Sequence, residues 1–157
     1  MLSTLVLGLL LALPVQEVPA ARYAEGQVWE YRTRPGDEGS LLKIQRVEPW
    51  PGGGQVYHIS VIRVRFADHA DVELQHLPVS ARTLDASVTR LSASSAVFPL
   101  ADEGIAIWRA ESGGVFDIPL AEIVEIADRA QRQQQAAEPP VTAFRERRSR
   151  DWSRASG

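Results

Sequence analysis

A chain of 157 residues, 45% apolar and 24% charged, has the proportions of one globular domain, which sets aside disordered and fibrous classes. It contains no cysteine, so a disulfide framework, a thiolate-bound metal and a lipid-modified cysteine are all excluded. A formal net charge of −3 leaves no electrostatic footprint for a nucleic acid.

Leu2 to Pro14 forms an apolar run near the length of a signal-peptide core and too short to span a bilayer comfortably. Val18-Pro19-Ala20 places small residues where a signal peptidase reads, so cleavage after Ala20 is expected. No Lys or Arg precedes the run, and an uncleaved anchor is the competing reading. The expected location is periplasmic or secreted, and the domain plan is a signal peptide over 1–20, one domain over 21–137 and a tail over 138–157.

The stretch Gln55–Phe66, QVYHISVIRVRF, organises the rest. Val, Ile, Tyr and Phe dominate it without Pro or Gly, a composition that suits a covered strand. Before it, Gln27–Arg34 alternates charged and aromatic residues around Trp29 and Tyr31, as a strand covered on one side does. Pro35-Gly36-Asp37-Glu38-Gly39 is turn chemistry, Ser40–Glu48 is the second strand, and Pro49–Gly54 is the loop to the third. Ala67–Asp71 reads as a polar loop and Val72–Leu77 as a fourth strand at the sheet edge. Short connections between successive strands imply an antiparallel meander.

At Pro78 the period changes. Ser80 is suited to cap a helix, Val79 to staple onto Leu84, and Leu84, Val88 and Leu91 repeat at helical spacing, so a helix is expected over 81–92. Ala101–Ser112 is read as helix, although Ile105-Ala106-Ile107-Trp108 also suits a strand. Pro119 opens the last helix, 119–131, with a stripe of Leu120, Ile123, Val124, Ala127 and Ala130 and a Glu125–Arg129 pair on its wet side. The following Arg-, Ser- and Pro-rich residues have the composition of a disordered basic tail.

Gly26-Gln27-Val28-Trp29-Glu30-Tyr31, His58-Ile59-Ser60 and His76-Leu77-Pro78, with Ser87-Val88-Thr89 after them, together resemble a family of small uncharacterised bacterial proteins. The resemblance spans roughly residues 23–128 and implies a compact α+β domain, with no activity to carry over.

Without cysteine, acid–base or metal chemistry falls to His and carboxylates. A turn near Asp68 and His69 pairs position 58 with about 79 and position 76 with about 61, which brings His58 and His76 to within a pleat of each other. With Asp68, His69, Asp71 and Glu73 nearby, His58 and His76 are candidate metal ligands, but the spacing matches no ligand motif. The alternative is that both histidines are structural, each hydrogen-bonding to backbone near a strand end, with His69 a solvated loop residue. No serine lies in a nucleophile elbow or S-x-x-K pattern. Asp37-Glu38 and Asp102-Glu103 read as caps or solvated carboxylates, and Gly52–Gly54 as a hairpin loop. Trp50, at a hairpin tip between two prolines, is a candidate contact for a protein or glycan unless it folds back over the sheet. The tail cluster Arg145–Arg150, flanked by Phe144 and Trp152, is the one candidate contact for a membrane.

The expectation is therefore an α+β domain: an antiparallel sheet of four or five strands with two or three helices on one face. It is expected to be a monomeric, exported, non-enzymatic binding protein without a cofactor, its partner contacts at Trp50, His58 and His76. A small hydrolase or metal-dependent enzyme using His58 and His76, and an envelope accessory held by the tail or an uncleaved leader, are the rival classes.

Overall fold

The computed structural model describes residues 22–67 and 69–137. The expected leader and basic tail lie outside the described residues. The elements in chain order are β1 (Val28–Tyr31), β2 (Leu41–Pro49), β3 (Gln55–Phe66), β4 (His69–Ser80), α1 (Ala81–Ser87), β5 (Val88–Ser92), α2 (Asp102–Ala110) and α3 (Leu120–Ala137). They build one α+β domain on a five-stranded sheet of order β4-β3-β2-β1-β5, with every pairing antiparallel.

β4 and β5 occupy opposite edges, yet α1 alone joins them. In a flat sheet, four strand spacings would separate them by about 19 Å. Seven helical residues cover only about 10 Å. The sheet must therefore curl until its two edges approach each other. Breaks in register supply the bend. Pairing between β3 and β4 shifts between Ile59 and Val61, between Val61 and Val64, and again before Phe66. Arg63, at φ 59°, sits at the middle break and resets the alternation of β3. Tyr57, Ile59 and Val61 face the core before it, and Val64 and Phe66 after it.

Residues of α1 and α3, including Leu84, Leu120, Ile123 and Val124, close that core over the inner face of the sheet. The other face of β3 is covered as well, which explains why His58, Ser60 and Ile62 are all buried. Its cover is the segment before α2 and α2 itself: the Pro99 carbonyl accepts from Gln45 Nε2 at 3.0 Å, and Ile105 is buried beneath the helix. Two helices thus share one face, as expected, and the third lies on the opposite one.

Three local expectations are corrected. The helix expected over 81–92 ends at Ser87, and Val88–Ser92 is β5, paired with β1. Ser87 Oγ donates back to the Thr83 carbonyl at 2.6 Å and accepts the Leu120 amide at 2.8 Å, so the chain leaves the helix there. The loop expected over 67–71 is shorter, because β4 already begins at His69. β4 also runs through Pro78, which is tolerated on an edge strand: the Pro78 carbonyl points outward to the Phe116 amide at 2.9 Å, and its missing N–H faces the same way.

Candidate functional site

The three residues singled out from the sequence, Trp50, His58 and His76, lie along one line of rings on the outer face of the sheet. In the observed register His58 is opposite Pro78, and His76 falls inside the break between the Ile59–Leu77 and Val61–Leu74 pairs. The two histidines are diagonal neighbours on one face, close enough to touch. His58 Nδ1 and His76 Nε2 are 2.8 Å apart. The ring centroids are 5.1 Å apart and the planes 24° apart. That centroid distance is the nitrogen separation plus a ring radius at each end, so the rings meet edge to edge through an in-plane N–H···N bond.

Trp108 of α2 packs on His58 in a T-shaped arrangement, centroid to centroid 4.8 Å, and Trp50 packs on Trp108 at 5.7 Å. The Trp108 indole N–H donates to the Gly114 carbonyl at 2.8 Å. α2 lies so close that a Cβ on Gly104 would come within 2.5 Å of His76 Cβ. A Cβ on Gly113 would likewise collide with the Trp108 indole. Around the rings, Arg109 pairs with Glu48, and Arg46 with Asp102 at 3.3 Å.

His58 is 0% exposed, and its Nε2 has no hydrogen-bond partner. The nearest carboxylate oxygen, of Glu48, is 3.9 Å from that nitrogen, beyond bonding distance. This field favours the tautomer with the proton on Nε2, which leaves Nδ1 to accept from His76. Burial, then the neighbouring His76, push the His58 imidazole down to about 4, against the opposing pull of Glu48. Burial also lowers His76. The pair is neutral at ordinary pH, and each ring keeps one nitrogen outside the shared bond. Among the described residues no three His, Asp or Glu side chains converge as a metal set. His69, Asp71 and Glu73 lie toward the β3–β4 turn, where His69 pairs with Phe66, away from His58 at the other end of β3.

Trp50 forms the wall of an open cleft of about 370 Å3 with Gln55, Ser80, Arg82 and Asp117. Asp117 accepts from Ser80 Oγ at 2.5 Å and from Arg82 at 3.1 Å. Trp50 is neither fully exposed nor buried: one part leans on Trp108, the rest lines the cleft.

A second polar cluster escaped the sequence reading. Asp37 and Asp128 are each 2% exposed, and both bind Arg34, at 2.8 and 3.1 Å. Asp37 also accepts the Arg65 amide at 2.8 Å, so it is a buried tie and not a solvated turn residue. These contacts border a cleft of about 590 Å3 with Arg65, Glu122, Arg129 and Arg132. Its charges are balanced and mostly bonded to one another, which marks it as a clamp on α3. No helix among the described residues is long and apolar enough to cross a membrane. Comparison with family models, curated proteins and solved structures finds no match for the chain.

Proposed function

We propose that this chain is an exported, non-enzymatic binding protein that takes its ligand at the Trp50 cleft. The carrying observation is the seating of Trp50, a half-buried indole braced from behind by Trp108 and ringed by Gln55, Ser80, Arg82 and Asp117. An aromatic wall with convergent polar groups suits a ligand that has one apolar face and several hydroxyls. A sugar ring of a glycan has that form, and a protein loop is the alternative occupant. The cleft is open, and Gln55, Arg82 and Asp117 stand beside the indole in a largely apolar lining, which favours the glycan.

Trp50→Ala is expected to abolish glycan-dependent quenching of tryptophan fluorescence while thermal unfolding changes little. Saccharides of the cell envelope are the probes, and affinity capture from native envelope covers a protein partner. Binding that survives Trp50→Ala, or no Trp50-dependent ligand in either assay, refutes the reading. The exported chain should begin at Ala21 when its N-terminus is sequenced.

A further inference from the structure

We infer that the His58–His76 pair, a bond between β3 and β4 roofed by α2, acts as an acid-released latch: the helix stays seated over the two rings while they share one proton between their facing nitrogens, and lifts when both nitrogens carry one. His58 is fully buried, its Nδ1 faces His76 Nε2 at 2.8 Å, and α2 presses on both rings through Gly104 and Trp108. One added proton keeps the bond, since an imidazolium donates to a neutral imidazole. A second puts two N–H groups head to head at that distance, and the bond becomes a repulsion.

The surrounding charges are few. From β2, Glu48 opposes release and Arg46 favours it; from α2, Arg109 favours it; from β4, His76 is the partner. Glu48 is already engaged by Arg109, and Arg46 by Asp102. What else holds α2 is modest: Ile105 is the helix's one buried residue, together with Ala101 at its N-cap.

The direction follows from linkage. His58 titrates near 4 when docked and near the ordinary imidazole value of about 6.5 when released. The released form therefore takes up protons first as pH falls. Docking weakens about tenfold per pH unit between those two values, on the order of a hundredfold in all, and then levels off. His76, also lowered, acts in the same direction. Departure of Trp108 removes the brace behind Trp50, so a ligand held there would be released in acid; this consequence alone rests on the function proposed above.

Hydrogen exchange of the full chain between pH 7 and pH 4, corrected for intrinsic rates, tests the latch without any ligand. Amides in the second half of α2 should lose on the order of a hundredfold in protection, while those of β3 keep theirs. In His76→Gln, whose amide can donate or accept and cannot be charged, the loss should shrink measurably, because the repulsion between two protonated rings is gone, while the part due to burial of His58 remains. Should that variant not fold, NMR titration of the wild-type imidazoles serves instead, and the loss of α2 protection must level off at the pH where His58 titrates. Protection of α2 that persists at pH 4, joint loss in α2 and β3, an undiminished loss in His76→Gln, or a loss that does not level off where His58 titrates would each overturn the latch. None of these outcomes depends on whether Trp50 binds a glycan.

Discussion

At the scale of single residues, the outer-face site is held together by what glycine omits. Gly104 lies in the first turn of α2 at an ordinary helical φ, so its lack of a side chain matters sterically and not conformationally. Gly104→Ala would drive a methyl group to 2.5 Å from His76 Cβ, backbone-anchored on both sides. The expected cost is about 1–3 kcal/mol, read as a lower urea midpoint at unchanged slope, with the Trp108 fluorescence shifted toward that of exposed indole. His58, His76 and Trp50 were legible as candidates from residue type and hairpin spacing. Trp108 and Gly104 were not. Trp108 sits in a stretch whose four residues suit a helix or a strand equally, and the need for glycine at 104 exists only once β4 lies beneath it.

At the scale of elements, α3 shows where apolar spacing stops being informative. Leu120, Ile123 and Val124 are buried as their period requires, and Glu125 meets Arg129 at 3.7 Å. Ala130, expected on the same stripe, is exposed, and Asp128 is buried instead. Asp128 accepts the Ala67 amide at 3.0 Å, Arg34 at 3.1 Å and Arg132 at 2.6 Å, so the helix is tied to the β3–β4 turn by a carboxylate. A hydropathy pattern cannot report that, because the acceptor is required by a backbone N–H 61 positions away. The same blindness misplaced β5: Leu84, Val88 and Leu91 have helical spacing, but the free edge of β1 captures Val88–Ser92 as a strand. Arg132 first, then Arg34 and the Ala67 amide, hold the Asp128 carboxyl down at about 2, against its burial. A carboxylate lowered in the folded state contributes stability that is complete above its ordinary value and fades as pH falls toward 2. Asp128→Ala should therefore cost about 3 kcal/mol near pH 7, because Arg34 is left buried with fewer partners. The difference from wild type should narrow between pH 4 and pH 2 in chemical denaturation, and a pH-independent difference would show that the carboxylate charge is not the cause.

For the molecule as a whole, the meander was legible because turn chemistry separates strands whose patterns are strong. The curl was not, since it arises from register breaks such as the one at Arg63 that leave no mark in composition. The curl creates a seam where the inner face, α1 and the N-terminal segment meet, and Tyr23 fills it. Its ring stands edge-on to Trp29 of β1 at 5.6 Å and to Tyr57 of β3 at 5.8 Å, and its hydroxyl donates to Asp85 of α1 at 2.7 Å. Tyr23 is 3% exposed although it precedes the first strand, so a residue outside every regular element touches three of them. Two substitutions separate the roles of ring and hydroxyl. Tyr23→Phe keeps the ring and should cost about 1 kcal/mol for the bond to Asp85. Tyr23→Ala opens a cavity between sheet and helix and should cost about 3–5 kcal/mol, with α1 amides losing hydrogen-exchange protection before those of β3. Equal losses for the two variants would place the stabilisation in the hydroxyl and not in closure of the seam. The larger loss for alanine, felt first in α1, is what a sheet curled around one aromatic plug requires.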